Sequence, residues 1–451
     1  METRDIAALT TTQVNLGLAT EQVKALTTAQ MAGLREYQLQ AIDANDIKAI
    51  STEVMASMGT DQFRQLTSAQ ISALSTLQIR ALTTAQIASL QTDQISGLET
   101  ADIATLTTAQ AKALTEDHIQ IMSTSQIVAL TTAQAAALTT NQVSKLTTTQ
   151  VAAIETADLV KMSTDQIVAL TTDQVPALTV GQVGNLTTAQ VAAIETADLV
   201  KMTTAQIAGL TSVQISALTT DQVIKLTTDQ IQAIETLDFQ QMTTGQIAAL
   251  TDTQVPVVTT AQIVALTTAQ AAALTPNEVS KLTTAQVAAI ETADLVKMTT
   301  AQIVALTTDH ASALTVSQVE NLTTAQIAAI QTADLVKMTT AQIAGLSSVQ
   351  MPAFTTDQLV TLTTAQIKAI ETLDLQQLTT DQLISLTSVQ VPVLTTAQVA
   401  ALTTEQAVAL TTGRLSKMTT AQIAAIETAA LVKMTTAQIV ALTTDQVPAL
   451  T

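Results

Sequence analysis

Apolar residues recur along this chain with a period of eight. When the unit is numbered 1 to 8, as in Leu170-Thr-Thr-Asp-Gln-Val-Pro-Ala177, positions 1 and 6 are apolar in 54 consecutive copies spanning residues 18–449. Units this short cannot bury their apolar faces alone and must stack on their neighbours. The pattern therefore predicts a linear array of repeats.

Each octad also carries a helix start signal. Position 2 is usually Thr and position 5 is Gln in 40 copies. This is the capping-box spacing, in which the Thr hydroxyl accepts from the position 5 amide and the Gln side chain returns to the Thr backbone N–H. Pro276 falls at position 3, the first helical position, where proline is favoured. Each octad is therefore predicted to begin its own helix.

One unbroken helix does not suit this pattern, because eight residues advance about 80° beyond two full turns and would spread positions 1 and 6 around the axis. Five prolines at position 7 lack the N–H that a longer helix needs: Pro176, Pro256, Pro352, Pro392 and Pro448. The predicted fold is all-α, an elongated α-solenoid (superhelix) of very short capped helices. Each helix covers positions 3 to 6 or slightly beyond, with positions 1 and 6 facing the axis.

Two points stay open at this stage. A β-solenoid with Thr ladders is the alternative fold, although positions 1 and 6 have opposite parity and ten Gly are few for so many turns. The solenoid prediction also leaves the redirection of the chain after each helix unexplained, since position 8 is usually Ala and seldom Gly.

The chain divides into residues 1–17, which are irregular N-terminal repeats, the continuous array 18–449, and residues 450–451, which begin a further repeat and suggest a piece of a longer chain. A variant octad, Ile-Glu-Thr-Ala-Asp-Leu-Val-Lys, recurs at spacings of 40, 40 and 56 residues, which sum to a 136-residue block that repeats. Its copies and close relatives begin at Ile154, Ile194, Ile234, Ile290, Ile330, Ile370 and Ile426. Block duplication favours a role that adds length or avidity.

Composition excludes several classes of function. A formal net charge of −19, with 18 Lys and Arg, repels nucleic acid and anionic membrane surfaces. The absence of Cys removes disulfides, thiolate catalysis and Cys-based zinc sites. No stretch reaches the roughly 18 apolar residues that a membrane span requires. The sequence therefore predicts neither nucleic-acid binding nor direct membrane insertion.

The variant octads are the candidate metal sites, because two carboxylates three residues apart share one side of a helix. Two carboxylates fall short of the six to eight oxygens that Ca²⁺ prefers, unless units 40 residues apart pool their ligands. The favoured interpretation is that these acids stabilise the start of a helix dipole, and no metal or other cofactor is expected. The weak calcium candidates are Glu155, Asp158, Glu195, Asp198, Glu291 and Asp294.

No residue is predicted to be catalytic. His118 and His310 each replace the position 5 Gln and are interpreted as substitute hydrogen-bonding caps. The Thr residues at position 3 form regular rows that could bind ice or polysaccharide, but helix-start chemistry is the favoured explanation of them. The sequence thus predicts a non-enzymatic protein, with a repetitive ligand-binding array for ice, glycan or calcium as the alternative.

Three stretches carry a family likeness: Val258-Thr-Thr-Ala-Gln-Ile-Val-Ala-Leu266, Met298-Thr-Thr-Ala-Gln-Ile-Val-Ala-Leu306 and Met434-Thr-Thr-Ala-Gln-Ile-Val-Ala-Leu442. They resemble the Thr- and Gln-rich octad arrays of very large bacterial surface or secreted proteins, often labelled adhesin-like, hemagglutinin-like or heme-utilisation proteins. The resemblance covers essentially the whole chain. It implies an extracellular or cell-surface stalk or adhesive scaffold, with an unknown protein or glycan as partner.

Overall fold

Each octad of the array contains one short helical element. The computed structural model describes residues 2–450, and within that range every regular element is an α-helix or a 3₁₀-helix and none is a strand. The predicted all-α solenoid is confirmed. The chain contains two compact units, Met1–Ile234 and Glu235–Thr451, and the same octad architecture builds each of them.

The elements of the first unit differ mainly in where the helix ends. Six-residue helices fill positions 3 to 8: Glu36–Ala41, Thr52–Ser57, Thr76–Ala81, Thr84–Ser89, Thr92–Gly97, Thr100–Thr105, Thr108–Ala113, Glu116–Ile121, Thr132–Ala137, Thr148–Ala153, Val180–Asn185, Thr188–Ala193, Ser212–Ala217, Thr220–Lys225 and Thr228–Ala233. Five-residue helices are Thr20–Lys24, Thr28–Ala32, Thr60–Arg64, Ser68–Ser72, Thr124–Val128, Thr140–Ser144, Thr164–Val168 and Thr204–Ala208. The others are Thr3–Ile6, Thr11–Gly17, Thr156–Leu159 and Thr196–Leu199, with 3₁₀-helices at Ile47–Ala49 and Val175–Ala177.

The second unit repeats these length classes. Its six-residue helices are Thr268–Ala273, Pro276–Lys281, Thr284–Ala289, Thr308–Ala313, Val316–Asn321, Thr324–Ala329, Thr356–Thr361, Thr364–Ala369, Thr380–Ser385 and Thr404–Ala409. Five residues form Thr260–Val264, Thr300–Val304, Thr340–Ala344, Thr396–Ala400, Thr420–Ala424 and Thr436–Val440. Four residues form Thr236–Phe239, Thr244–Ile247, Thr292–Leu295, Thr332–Leu335, Thr372–Leu375, Thr412–Leu415 and Thr428–Leu431, and the 3₁₀-helices are Val255–Val257, Met351–Ala353, Val391–Val393 and Val447–Leu450.

The helix Thr84–Ser89 shows how an octad begins and ends its helix. The Gln86 N–H donates to Thr83 Oγ1 at 3.2 Å, and the Thr83 N–H donates to Gln86 Oε1 at 2.8 Å, so the predicted capping box is present. The helix stops at Leu90, whose φ and ψ of −57° and 148° are extended.

The redirection of the chain therefore depends on two successive extended residues at positions 1 and 2. In the octad that contains the helix Thr84–Ser89, Thr83 at position 2 has φ and ψ of −75° and 157°. Within residues 2–450 no residue has a positive φ. The array turns without left-handed backbone, which explains why it needs so little glycine.

Proline at position 7 shortens the helix further. In the octad of Pro176, a turn leads into the 3₁₀-helix Val175–Ala177, because Pro176 has no N–H to donate to the carbonyl of Thr172. The four other position 7 prolines lie in the same arrangement. Pro276, by contrast, occupies the first position of a full six-residue helix, as predicted.

Positions 1 and 6 form the core of each unit, as predicted. Leu90 at position 1 is 5% exposed and Ile95 at position 6 is fully buried. Helices three octads apart pack together, so that Thr84–Ser89 contacts Thr108–Ala113, which in turn contacts Thr132–Ala137. Each unit is therefore a coil in which an octad meets its partners 24 residues along the chain.

The irregular N-terminal segment contains one unit that is longer than the regular octad by a single residue. Leu9–Gly17 is a nine-residue unit whose helix, Thr11–Gly17, is the longest of the described elements. Its capping box, Thr10 with Gln13, has the usual form, and Val14 is buried. The extra residue shifts the register ahead of Leu18, where the regular octads begin.

None of the helices within residues 2–450 combines the length and apolar character that crossing a bilayer demands.

Candidate functional site

The position 5 glutamine is buried, which the sequence analysis did not foresee. Gln190 is 2% exposed, and its Oε1 accepts from the Thr187 N–H at 2.9 Å. Its Nε2 donates to the backbone carbonyls of Leu159 and Met162, both at 2.8 Å. One side chain therefore caps the start of its own helix and the end of an earlier helix, and we call this arrangement the Gln clamp.

The Gln clamp satisfies a general need of helices. The last carbonyls of a helix have no partner within it, and burial makes an unpaired carbonyl costly. A primary amide offers one acceptor and two N–H donors, which is what the two helix ends require. The clamp therefore joins consecutive turns of the coil at the helix ends, where short helices leave most of their backbone N–H and C=O groups unpaired.

The Gln clamp repeats at constant offsets in both units. In the clamps that follow, Nε2 donates to carbonyls 28 and 31 residues earlier. In the first unit they are Gln70, Gln78, Gln86, Gln110, Gln126, Gln134, Gln142, Gln150, Gln166, Gln174, Gln182, Gln190, Gln206, Gln214, Gln222 and Gln230. In the second unit they are Gln286, Gln302, Gln318, Gln326, Gln342, Gln350, Gln358, Gln366, Gln382, Gln390, Gln398, Gln422 and Gln446.

One signal in the sequence could have revealed the Gln clamp. Glu caps a helix start as well as Gln does, yet position 5 holds Gln in 40 octads and Glu only at residue 278. A preference for the amide over the carboxylate indicates that the side chain must donate as well as accept.

The two histidines act as substitute clamps, which confirms their interpretation as hydrogen-bonding caps. The Thr115 N–H donates to His118 Nδ1 at 3.2 Å, so the ring proton lies on Nε2, which is 2.8 Å from the carbonyl oxygen of Leu90. His310 makes the corresponding contacts to Thr307 and Leu282 at 3.1 and 2.7 Å. Burial lowers the pKa of His118, although the Leu90 carbonyl and the nearby Asp117 oppose that effect.

Arginine also replaces the clamp at one position. Arg414 Nε donates to the carbonyl of Leu386, 28 residues earlier, at 2.9 Å. The sequence analysis gave Arg414 no role, because its partner is distant along the chain.

The calcium candidates separate into two environments. Asp158, Asp198 and Asp294 occupy position 5 and are each 4% exposed, whereas Glu155, Glu195 and Glu291 are exposed at the helix start. Asp294 Oδ1 accepts from Thr268 Oγ1 at 2.7 Å. Across residues 2–450, no three side chains of His, Cys, Asp or Glu are grouped so as to hold a metal. Calcium binding by these acids stays an untested alternative, which titration can address.

Burial perturbs several of the position 5 acids. It raises the pKa of Asp198 and Asp374, with smaller contributions from the neighbouring Glu195 and Glu371, and it raises the pKa of Asp334. It also raises the pKa of Asp102, where the hydrogen bond from the Glu99 N–H opposes the shift. These acids therefore hold their protons to higher pH than a solvated carboxyl does.

Two surface grooves of the first unit are equivalent to each other. One, of about 710 Å³, is lined in part by Arg64 and Asp117, and the other, of about 510 Å³, by Lys112 and Asp165. Their residues correspond at a separation of 48, which is six octads. The groove is thus a property of the repeat and does not mark one place as an active site.

The ALTTAQ repeat profile matches residues 1–35, 39–76, 71–100, 118–148, 151–188, 191–228, 231–268, 287–324, 327–364, 367–404 and 415–451. The chain belongs to the ALTTAQ repeat family. Among curated proteins none matches it.

The ALTTAQ hexapeptide coincides with the joint between two helices. In Ala81-Leu-Thr-Thr-Ala-Gln86 it contains the end of one helix, the extended residues at positions 1 and 2, and the Gln that completes the clamp. The family's repeated sequence is therefore the part of each octad that caps and connects helices. The predicted array of tandem Leu-Thr-Thr octads is confirmed.

Proposed function

We propose that this ALTTAQ repeat chain is a non-enzymatic structural and interaction region that serves as the stalk or scaffold of a large bacterial surface or secreted protein. The observation that carries the proposal is the Gln clamp, which repeats at fixed offsets of 28 and 31 residues. Where position 5 is Gln, its buried amide binds an earlier turn of the coil, so the most regular polar contact of the repeat stabilises the fold.

Two further features support a scaffold. Stability in such arrays is approximately a sum over units and their interfaces, so additional octads lengthen the coil without altering its contacts. The 136-residue block has been repeated within the chain, and the surface grooves recur with the octads. These properties suit a protein whose dimensions are set by the number of its repeats.

We place the protein outside the cell or on its surface, with a protein or glycan partner. The likeness of stretches such as 258–266 to the octad arrays of bacterial surface proteins supports this location. The net charge of −19 favours partners other than nucleic acid or anionic lipid.

Variants of the full chain that lack or duplicate the block 154–289 test the scaffold proposal. Small-angle X-ray scattering should show that the maximum dimension changes in proportion to the number of octads. A variant of the same length, in which every position 5 Gln of the block is Ala, is the matched control. It shows what chain length contributes when the Gln clamps of the block are absent. A dimension that grows only with the cube root of chain length would mean that the chain folds back into a globule, which contradicts the proposal.

A repetitive ligand-binding array is the second candidate, and exposed position 3 threonines such as Thr188 favour it. Isothermal titration with Ca²⁺, and separately with soluble oligosaccharides, distinguishes the two functions. Several ligands bound per chain, in a number that doubles when the block is duplicated, would establish the array. A calcium signal that disappears in Asp198→Asn would assign the ion to the acidic octads.

A further inference from the structure

Glu278 is the position 5 residue whose hydrogen bonding is incomplete. It is 2% exposed, its Oε2 accepts from the Thr275 N–H at 2.5 Å, and its own N–H donates to Thr275 Oγ1 at 3.2 Å. Its Oε1 is buried without a hydrogen-bond partner, alone among the buried side-chain nitrogens and oxygens of residues 2–450. Such an atom is costly in a folded protein and requires a physical reason.

The next octad shows what Oε1 faces. Gln286 has the same capping box, and its Nε2 donates to the carbonyls of Val255 and Val258 at 2.8 and 2.6 Å. The same offsets of 31 and 28 residues place Oε1 of Glu278 opposite the carbonyls of Ile247 and Leu250. An ionised carboxylate has no hydrogen to donate, so it would set its lone pairs against those of the carbonyls.

We propose that Glu278 folds as the neutral carboxylic acid and that the O–H on Oε1 donates to the backbone carbonyl of Leu250. The proton comes from solvent, so the folded chain binds one proton more than the unfolded chain at pH values where free glutamate is ionised. The position 28 residues earlier is also the one that His118 and Arg414 bond when they replace Gln. Glu278 is thus a clamp that holds only while it is protonated, a property beyond the scaffold function.

The charges around Glu278 agree with this state. Asp252 raises the pKa of Glu278 in addition to the larger effect of burial, and the hydrogen bonds from Thr275 oppose both. Asp252 is itself held by Lys281 at 3.6 Å and by Asn277 Nδ2 at 2.7 Å. The elements packed on the Glu278 helix, Thr300–Val304 and Val255–Val257, contain no ionisable side chain. No cation faces Oε1 from these elements to stabilise a carboxylate.

The sign of the pH effect follows from linkage. The pKa of Glu278 is raised above its ordinary value of 4.5, so the stabilisation is complete below pH 4.5 and is lost as pH rises through the folded-state pKa. Between the two pKa values the folding equilibrium constant falls about tenfold per pH unit. The clamp therefore weakens with increasing pH, whereas a Gln clamp does not titrate.

Glu278→Gln, which restores the common residue, tests the proposal in the full chain. Hydrogen exchange of residues 274–282 gives the local opening equilibrium, and the ratio of wild-type to variant opening should be constant below pH 4.5 and rise about tenfold per pH unit above it until it levels off. The exposed Glu405→Gln is the matched control, and it should leave the exchange of residues 274–282 as it is in the wild type. A ratio for Glu278→Gln that does not vary with pH would overturn the proposal.

Two further measurements keep the result unambiguous. Infrared spectroscopy should detect the C=O stretch of protonated carboxylic acids above pH 4.5, and this band should be weaker in Glu278→Gln than in the wild type by the contribution of one carboxyl group. Gln286→Glu should put a second acid in an equivalent position. The opening equilibrium of its own octad should then also become more favourable as pH rises. An acid band of equal intensity in the wild type and Glu278→Gln, or a Gln286→Glu variant destabilised equally at all pH values, would show that a position 5 glutamate does not take up a proton in this fold.

Discussion

Gln190 illustrates how much free energy one side chain can control in an octad this short. Its amide makes three hydrogen bonds, and two of them serve carbonyls at the end of another helix. A hydrogen bond contributes about 1 kcal/mol net, and a buried group left without its partner costs about 1 to 3 kcal/mol. Because a helix of six residues is not stable alone, these bonds are a large share of what orders each unit.

Gln190→Ala should therefore destabilise the chain by about 2 to 4 kcal/mol. The exposed Thr188→Ala, in the same helix, should change stability by less than about 0.5 kcal/mol. Urea denaturation followed by circular dichroism, together with local hydrogen exchange, measures both. Equal effects of the two substitutions would show that the clamp contributes nothing beyond packing.

His118 should make its octad sensitive to acid. Its pKa is lowered from the ordinary value of 6.5, so the unfolded chain takes up a proton that the folded chain refuses, and stability is lost as pH falls below 6.5. His118→Gln should remove this loss, so the variant gains stability relative to wild type at pH 5 but not at pH 8. Thermal unfolding at the two pH values checks the prediction, which fails if the difference between variants is the same at both.

At the scale of the element, the variant octads that begin at Ile154, Ile194 and Ile290 contain four-residue helices. In the octad of Asp198 the helix Thr196–Leu199 stops after four residues, and Glu195 at its start provides no side-chain cap. Thr156–Leu159 and Thr292–Leu295 are alike in both respects. The capping Thr and the clamping Gln are lost together in these octads, so each contributes fewer hydrogen bonds and should open before its neighbours do.

The double substitution Glu195→Thr with Asp198→Gln should restore the missing bonds, including those to the carbonyls of Ile167 and Leu170. We expect amide exchange in residues 194–201 to slow, with a gain of about 2 kcal/mol in the local free energy of opening. Glu195→Thr alone should give only the cap, about 1 kcal/mol. No difference between the single and double variants would mean that Gln does not reach the earlier turn at this position.

The parts of each element that could be predicted from sequence are those made by near neighbours. Thr83 and Gln86 are three residues apart, so their capping box is visible in the spacing. The bonds from Gln86 to Met55 and Met58 cross 31 and 28 residues, and nothing in a local pattern identifies them. The extended conformation of Leu90 was equally hidden, because leucine adopts it without any compositional signal.

Within each unit, packed helices lie three octads apart and the Gln clamps of Gln190 and Gln326 reach back 28 and 31 residues. Removal of one complete octad, residues 186–193, leaves each remaining Gln opposite equivalent carbonyls. We expect this deletion to preserve the helical circular dichroism spectrum and cooperative unfolding. Removal of only residues 186–189 puts positions 1 and 6 out of register and should cause substantial loss of helix, and equal tolerance of both deletions would contradict the fixed offsets.

The direction of the Gln clamp has a consequence for synthesis. The Nε2 of each clamp donates backwards, to carbonyls about 30 residues nearer the N-terminus, as Gln190 does to Met162 and Leu159 at 28 and 31 residues. Chains emerge from the ribosome N-terminal end first, so each new octad meets a docking surface that already exists. The coil can therefore grow in step with translation, because the carbonyls at the end of each helix wait only 28 to 31 residues for the Gln that caps them.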